Sequence, residues 1–344
     1  MAVCVKVIGS YGAGLTYGLG RFPRPGETLL ARYHRVDHGG KGSNQAIAAA
    51  RLGAQVRLRT ALGDDAFGAG ARRLWEQEGV EASVVTVPGL PTMTGAILVD
   101  QDGENRIVVA SGALSGFRPE HVATEDVADA EVLLVQLEIP LETALRALEL
   151  GVAHGVRTLL NPAPAPQASR TEVAALLDLA DVLTPNVSEA RALLGGGAGL
   201  DASDLARALS ADGQRSVVLT AGARGVYAVQ RGRAEHVPAV EVAEVVDSTG
   251  AGDAFSAALG VALAKGADLV EACRFAVRAA GHAVTRAGVV PALAYRADLD
   301  APGTPPDEER TSHGTRSQAH AGSSPSPAHL AGNQTAIEDE GSLA

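Results

Sequence analysis

The sequence predicts an α/β fold: a mostly parallel sheet flanked by helices on both faces, with a small β-sheet that serves as a lid. Short apolar segments typical of buried strands alternate with segments of helical period along most of the chain. This rhythm is typical of parallel sheets covered by helices. Two β-rich segments interrupt it, and a hydrophobic content of 46% is sufficient for a large core.

The main sheet is expected to begin with the mostly apolar run Val3–Ile8. A small-residue helix at Gly42–Leu52, a strand at Gln55–Ala61 and an amphipathic helix at Ala66–Glu78 follow. Further short apolar segments, with helical patterns between them, are predicted strands: Glu131–Leu137, Arg157–Leu160, Asp181–Thr184 and Ser216–Thr220.

The small sheet is predicted from two insertions. Thr94–Asp100 and Asn105–Ala110 flank a turn-forming tetrapeptide, as expected of an antiparallel hairpin. Leu15–Val36 is rich in glycine, proline and β-forming residues and has no helical period. Strands within about residues 10–38 and 92–112 would therefore form a sheet placed to act as a lid.

The predicted domain covers residues 1–298, and the composition changes after it. Residues 301–344 contain no Phe, Tyr or Trp and are dense in Pro, Ser, Gly, Thr and His. Because such a segment has little to bury, residues 299–344 are predicted to form a disordered tail. A partner-binding tail is the alternative.

Charge and composition argue against several classes of protein. A net charge of −11 disfavours a nucleic-acid-binding surface. No run reaches about 18 apolar residues, and the N-terminus lacks a basic leader before an apolar segment. Neither a membrane span nor a signal peptide is therefore expected. Cys4 and Cys273 are interpreted as reduced core thiols of a cytoplasmic protein.

One glycine motif is interpreted as a decoy. Gly12-Ala-Gly14-Leu-Thr-Tyr-Gly18 follows a predicted strand, as a dinucleotide-binding turn would. Such a turn must open into a helix, but Gly20, Pro23 and Pro25 follow at once and prevent one.

The segment Asp247–Asp253 carries the strongest chemical signal. Its small residues lead into the helical pattern Ala254–Lys265, so free N–H groups at the helix start could bind an anion. An acid placed there would repel phosphate, unless Asp253 accepts the proton of an attacking hydroxyl. A helix that merely begins with an acid in its first turn is the alternative.

A second glycine-rich segment, His38–Asn44, also precedes a helix. It lacks the spacing of a P-loop. Its glycines allow a ligand to approach the backbone, and Lys41 and Asn44 offer donors suited to sugar hydroxyls. A glycine-rich turn with a solvated lysine is the alternative interpretation.

These two segments resemble the signatures of the ribokinase-like (PfkB) carbohydrate kinases. The matching runs are Gly39-Gly-Lys-Gly-Ser-Asn-Gln-Ala-Ile-Ala-Ala-Ala-Arg-Leu-Gly53 and Asp247-Ser-Thr-Gly-Ala-Gly-Asp-Ala-Phe255. Other segments resemble the family in the same order: Gln136–Glu138, Asn161–Ala165, Thr184–Glu189, Thr220–Gly225 and Ala283–Gly288. The resemblance covers about residues 3–298 and implies a ribokinase-like fold and an ATP-dependent sugar kinase.

The resemblance also implies roles for individual residues. Asp253 would be the catalytic base beside an anion hole formed by Gly250, Ala251 and Gly252. Residues that would hold the sugar are Gly40, Lys41, Asn44 and Glu138, together with Asp253. Residues that would bind ATP are Asn186, Thr220, Gly222 and Gly225.

Two cations are implied by the same resemblance. Asn186 and Glu189 would order Mg²⁺, through water. A monovalent cation, K⁺, would lie near the anion hole, against Asp247, Thr249, Ala283, Arg286 and Gly288. Ala292 stands where the family has a serine, which would weaken this second site.

One departure bears on the substrate. The family's first strand ends in an Asn and an Asp that bind sugar hydroxyls, and Gly12 and Gly14 stand at those positions here. Either ribose binds weakly, or the substrate fills that space with a larger group. We favour the second interpretation.

Alternatives to a sugar kinase follow from this departure. A nucleoside kinase of the same family could place its base over Gly12 and Gly14. A catalytically silent sugar- or nucleotide-binding protein is a further alternative, disfavoured by the retention of Asp253 and Lys41. The resemblance also suggests a homodimer formed through the lid.

Overall fold

The computed structural model describes residues 2–197 and 199–300. The strands within these ranges are β1 (Cys4–Ile8), β2 (Gly12–Gly18), β3 (Tyr33–Gly39), β4 (Gln55–Leu62), β5 (Val80–Thr86), β6 (Thr94–Val99), β7 (Asn105–Ala110), β8 (Val132–Gln136), β9 (Arg157–Asn161), β10 (Val182–Leu183), β11 (Ser216–Thr220), β12 (Val226–Gln230) and β13 (Arg233–Val237). The α-helices are α1 (Lys41–Arg51), α2 (Ala66–Gln77), α3 (Leu141–Ala153), α4 (Arg170–Asp178), α5 (Val187–Leu193), α6 (Ala202–Leu209), α7 (Ala251–Ala264), α8 (Leu269–Val284) and α9 (Arg296–Asp300).

The main sheet has nine strands within the described ranges, in the order β13-β12-β11-β10-β9-β8-β1-β4-β5. Neighbouring strands from β11 to β5 pair in parallel. Only β12 runs against them, paired antiparallel with β11 and β13. The predicted mostly parallel sheet is confirmed.

Helices cover both faces of this sheet. One apolar core joins side chains such as Val5, Val7 and Leu134 to helices α1, α2, α7 and α8. The other joins alternate residues, such as Leu133 and Val135, to helices α3 to α6. Because successive side chains of a strand point to opposite faces, a strand buried on both faces is apolar throughout. The predicted flanking helices are confirmed.

A second, small sheet has the strand order β3-β2-β6-β7. The β6–β7 hairpin is confirmed, and β2 pairs antiparallel with β3 and parallel with β6. Strand β2 starts at Gly12, before the β-rich segment Leu15–Val36 but inside the range of about residues 10–38 expected for the small sheet. Since Gly12–Gly18 is a strand, the rejection of a dinucleotide-binding turn there is also confirmed.

Three smaller predictions concern membrane spans, the two cysteines and the C-terminal tail. Each helix within the described ranges is too short or too polar to span a bilayer. Both cysteines are free thiols; Cys273 is buried, but Cys4 is only half-buried because it begins an exposed strand end. The tail is predicted to begin at residue 299, and the part of it after residue 300 lies outside the described residues. The boundary near residue 298 therefore stays a prediction.

Candidate active site

The candidate site lies where the parallel strands end. The carboxyl ends of β1, β8, β9, β10 and β11 share one edge of the sheet, which is where α/β proteins bind ligands. Polar residues at or just after these ends are Ser10, Glu138, Asn161, Thr184, Asn186 and Thr220. Helices α1 and α7 pack side by side and begin near the same edge.

Glu138 holds the start of α1 from across the sheet. Gly40 is the N-cap residue, with φ of 89°, and offers no side chain to bind the free N–H groups. Instead Glu138 Oε2 accepts the backbone N–H of Lys41 at 2.8 Å and the hydroxyl of Ser10. Lys41 is therefore placed by a carboxylate 97 residues away in the sequence.

Gly42 is required because α1 lies directly on the end of β1. A Cβ on Gly42 would stand 2.7 Å from the Cα and 2.6 Å from the carbonyl carbon of Gly9. The backbone of Ser43 also donates to the carbonyl oxygen of Ser10 at 2.8 Å. The glycine-rich segment thus allows close packing of the helix start on β1.

Asp253 is the third residue of α7 and is only 5% exposed. Its two carboxylate oxygens accept amide hydrogen bonds from α1: Asn44 Nδ2 donates to Oδ2 at 2.8 Å, and Gln45 Nε2 donates to Oδ1 at 3.1 Å. Because a buried charge needs such partners, the two amides fix the carboxylate in one orientation.

A chain of buried amides continues behind Asp253, and no local sequence pattern predicts a role for it. Gln45 Nε2 also donates to Asn161 Oδ1 at 3.2 Å, and Gln45 Oε1 accepts from Gln136 Nε2 at 2.7 Å. Asn161 in turn donates to the carbonyl oxygen of Thr184 at 2.8 Å. A glutamine inside the apolar run of α1, and amides at the ends of two buried strands, were the available signals.

Charges converge on Lys41. The carboxylate of Asp253 contributes most to raising the pKa of the Lys41 ammonium, and Glu138 and Glu189 add to it against the opposing effect of burial. Burial raises the pKa of Glu189, although Lys41 and the backbone of Asn186 oppose this. The structure therefore brings together the predicted residues Lys41, Asn44, Glu138, Glu189 and Asp253.

The predicted anion hole occupies the start of α7, three residues earlier than the helical pattern indicated. Gly250 is the N-cap residue in the left-handed conformation, with φ of 80°. The N–H of Ala251 donates to the carbonyl oxygen of Ser248 at 3.3 Å. Gly252 follows it in the first turn, where N–H groups have no intrahelical acceptor.

The predicted ATP residues lie along the neighbouring strand ends. Asn186 caps α5: its Oδ1 accepts the N–H of Glu189 at 2.9 Å, while Glu189 Oε2 accepts the N–H of Asn186 at 2.8 Å. Asn186 also forms a β-bridge with Thr220. Gly222 and Gly225 follow in the turn before β12, and both have positive φ.

The predicted monovalent-cation residues form a separate group. Asp247 Oδ1 accepts the N–H of Thr249 at 2.9 Å, and Oδ2 accepts the N–H of Gly288 at 3.0 Å. Burial acts to raise the pKa of Asp247, but these hydrogen bonds outweigh it and the pKa is lowered. The N–H of Arg286 donates to the carbonyl oxygen of Ala283 at 3.2 Å at the end of α8.

The space beside the two unusual glycines is only partly free. A Cβ on Gly12 would overlap the Cε of Met93, whose side chain is 7% exposed. Met93 therefore lies where a side chain at position 12 would begin, and the expectation that a larger substrate group fills this space stays a prediction. Beside Gly14 the nearest side-chain atom is Ile97 Cδ1, at 3.4 Å from an ideal Cβ.

Known proteins resemble this chain over most of its length. Residues 11–294 match the pfkB family of carbohydrate kinases. The ribokinase of Haemophilus influenzae is 35% identical over 305 residues, 86% of this chain and 97% of that protein. The deoxyribokinase of Salmonella typhi is 35% identical over 83% of this chain and 93% of that protein.

Solved structures share the fold. The structure of Arabidopsis thaliana ribokinase complexed with ribose and ATP superposes with a TM-score of 0.78 at 29% identity, covering 87% of this chain and 98% of that one. The ribokinase-like fold expected from the sequence is thereby confirmed. The chain belongs to the pfkB family of carbohydrate kinases.

Proposed function

We propose that this protein transfers the γ-phosphoryl group of ATP to a hydroxyl of ribose or a related sugar, with Asp253 as the base. One observation carries this proposal: a buried carboxylate, fixed by two amides of α1, stands in the first turn of a helix at the ligand-binding edge of the sheet. The similarity to a ribokinase and to a deoxyribokinase supports a sugar as the substrate.

The transfer needs one proton acceptor. As the sugar oxygen attacks the γ-phosphorus, its O–H bond breaks and Asp253 takes the proton, while the bond to the leaving ADP oxygen breaks. Asn44 and Gln45 donate to Asp253, one to each oxygen, so each oxygen keeps a lone pair for that proton.

The start of α7 stabilises the charge on the phosphoryl group. The dipole and the free N–H groups of its first turn favour a negative charge at that place. Gly252 leaves this end open, because a Cβ there would meet no atom within 4 Å. Gly250 and Ala251 complete the proposed anion hole.

The sugar is held by the start of α1. Asn44 Oδ1 is buried and has no hydrogen-bond partner among the described residues, which leaves an acceptor for a sugar hydroxyl. Lys41 offers three donors beside it. Glu138 and Gly40 fix the backbone from which both side chains project.

ATP is proposed to lie along Asn186, Thr220, Gly222 and Gly225. Mg²⁺, when bound with ATP, would offset phosphate charge. Asn186 and Glu189 would order such an ion through water, and the α5 cap engages only Oε2 of Glu189. Groups of three or more His, Cys, Asp or Glu that could hold a metal are absent from the described part of the chain. Phosphate oxygens and water would therefore complete the ligands, as Mg²⁺ prefers.

A monovalent cation is proposed near Asp247. This carboxylate ties together the loops that contain Thr249 and Gly288, so their carbonyl groups could face one ion. Ala292, which is 1% exposed, supplies no oxygen from its side chain there. K⁺ would act there by ordering the loop before α7.

The small sheet is proposed to pair two copies of the chain. One of its faces has a cross-strand row of apolar residues, Val36, Leu15, Ala96 and Val108. Val36 is 53% exposed and Val108 is 72% exposed, which favours a covered surface. Sedimentation of the purified protein at two concentrations would test this homodimer.

The two free thiols are consistent with the proposed cytoplasmic location.

Asp253→Asn tests the mechanism. Because the amide cannot accept the proton, kcat for sugar phosphorylation is expected to fall about 1000-fold or more, while ATP binding stays close to that of the wild type. Asp204→Asn is a matched control, since Asp204 is also the third residue of a helix but is exposed. Unchanged turnover in Asp253→Asn would contradict the mechanism.

The substrate is tested by steady-state kinetics with ribose, deoxyribose, other sugars and nucleosides. We expect the highest kcat/KM for a free sugar, because the chain is 35% identical to a ribokinase and to a deoxyribokinase. A nucleoside as the best substrate would favour the nucleoside kinase alternative. No turnover with any of them would favour a silent binding protein.

A further inference from the structure

The register of the small sheet places a charged pair opposite the two unusual glycines. On β2, Gly12 and Gly14 share one face, because side-chain direction alternates along a strand. Their partners on β3 are Gly39 and Asp37, and Thr16, two residues farther along the same face, pairs with Arg35. Asp37 and Arg35 therefore lie on the face on which the missing side chains at positions 12 and 14 would stand.

This end of the small sheet adjoins the candidate site. Gly39, the partner of Gly12, directly precedes Gly40, the N-cap residue of α1, and α1 carries Lys41 and Asn44. The opposite face of β3 points elsewhere: His38 Nδ1 is 2.7 Å from the hydroxyl of Tyr11, a buried residue.

The Asp37 carboxylate is held but remains accessible. Arg35 Nε donates to Asp37 Oδ2, and the Asp37 side chain is still 34% exposed. Directly paired residues in antiparallel strands have Cβ positions about 5 Å apart. A carboxylate on β3 can therefore reach the volume beside Gly14, which no side chain of β2 occupies.

The two glycine positions consequently differ. At Gly12 the volume is taken by Met93, an apolar side chain. At Gly14 the volume is bordered by Ile97 and by the backbone oxygen of Asp37, at 3.4 and 3.8 Å from an ideal Cβ. Of the two β3 residues paired with these glycines, Gly39 has no side chain, so a side-chain contact from β3 at these positions would come from Asp37, opposite Gly14.

We propose that Asp37 is a specificity-determining residue that accepts a hydrogen bond from a substrate hydroxyl, with Arg35 as the residue that positions its carboxylate. This inference rests on the proposed sugar kinase function. It assigns to β3 the recognition of a sugar hydroxyl that the side chain at position 14 of β2 cannot provide. The substrate class remains a polyhydroxylated sugar, with one hydroxyl directed at the small sheet.

Asp37→Ala tests the inference. The loss of one charged acceptor for a hydroxyl is expected to lower kcat/KM for the best sugar about 10- to 100-fold. Most of this change should appear in KM for the sugar, whereas KM for ATP should stay within about twofold. Asp102→Asn, on the exposed turn between β6 and β7, is the matched control and should change neither constant.

A second variant moves the carboxylate from position 37 on β3 to position 14 on β2. It tests whether Asp37 recognises the sugar or only stabilises the small sheet. Gly14 is not among the glycines with positive φ, and a Cβ there makes an ordinary contact with Ile97. Gly14→Asp in the Asp37→Ala background should therefore fold and restore kcat/KM for the sugar about tenfold or more. A thermal melt of each variant verifies folding, and calorimetric titration with the sugar measures binding without turnover.

The outcomes are distinct. The inference is overturned if Asp37→Ala leaves the sugar KM within about twofold of the wild type, or if Gly14→Asp restores nothing to a folded Asp37→Ala protein. The second result would mean that Asp37 only supports the strand. If the wild-type protein phosphorylates no sugar at all, the proposed function fails instead.

Discussion

Gln45 illustrates how much of the site depends on one side chain. It is fully buried in α1, and its single amide group contacts Asp253, Asn161 and Gln136. Both its donor and its acceptor are used, so its orientation is set from both sides. Asp253 is therefore oriented by a residue that has no part in the proposed proton transfer.

Gln45→Met should separate orientation from chemistry. The change keeps the length of the side chain but leaves amide groups of Asn161 and Gln136 without a partner, which is expected to cost about 1–3 kcal/mol of stability. We expect kcat to fall about tenfold or more, with smaller changes in KM. Denaturant unfolding and steady-state kinetics measure the two effects.

A matched change on the surface supplies the control. Gln77→Met, at the exposed end of α2, should alter neither stability nor turnover. Wild-type kcat in a folded Gln45→Met protein would show that Asn44 alone orients the carboxylate.

At the scale of single residues, the sequence indicated which residues could carry the chemistry but not which side chains they contact. Asp253 and Lys41 could be predicted because their glycine-rich surroundings are local in the sequence. Asn161 and Gln136 received no role, since an amide at a strand end becomes meaningful only when Gln45 is known to lie beside it.

At the scale of elements, the start of α1 depends on a close contact with β1. Gly9 and Gly42 touch through their backbones, so no rotation of a side chain can relieve an added methyl group. The same first turn carries Lys41 and leads to Asn44. A displacement of this helix end would therefore disturb both stability and the proposed sugar binding.

Gly42→Ala tests this coupling. We expect a loss of about 1–3 kcal/mol of stability and a fall in kcat/KM for the sugar, measured by thermal unfolding and kinetics. Gly70→Ala in α2 is the control: the nearest atom to its Cβ is His38 Cε1 at 3.6 Å, so the helix should gain up to about 1 kcal/mol. If Gly42→Ala is as well tolerated as Gly70→Ala, the close contact is not a constraint.

Most elements could be predicted from periodicity, but their ends could not. Helix α7 begins at Ala251, three residues before the predicted start, because Gly250 in the left-handed conformation serves as its N-cap. Because the residues at positions 251 and 252 are small, the sequence pattern did not reveal that they belong to the first turn of the helix. The register of β2 against β3, which pairs Gly14 with Asp37, has no signal in the sequence.

At the scale of the whole molecule, a buried tyrosine and a buried cysteine are expected to lower the stability of the fold at alkaline pH. Burial raises the pKa of Tyr11 to about 12, with Asp65 adding to it, and burial raises the pKa of Cys273 to about 12. The unfolded chain releases these protons nearer pH 10 and pH 9. Above those values the unfolded state binds fewer protons, so stability falls as pH rises.

The predicted slope can be measured by denaturant unfolding between pH 9 and pH 12. Each group contributes a decline of about 1.4 kcal/mol per pH unit over its own window. Cys273→Ala and Tyr11→Phe should each flatten the curve, whereas Tyr33→Phe, at a residue 52% exposed, should not. A stability that is constant up to pH 12 would contradict this account.

The sequence by itself determined the fold class and the family, and it indicated the residues proposed to form the site. Those properties depend on local patterns: period 2 or 3.6 in apolar residues, and glycines followed directly by a base or a lysine. Only the tertiary structure decided that Gln45 orients Asp253 across 208 residues, that Met93 fills the place beside Gly12, and that Asp37 stands opposite Gly14. These relations arise from strand register and helix packing between distant segments, which no local pattern encodes.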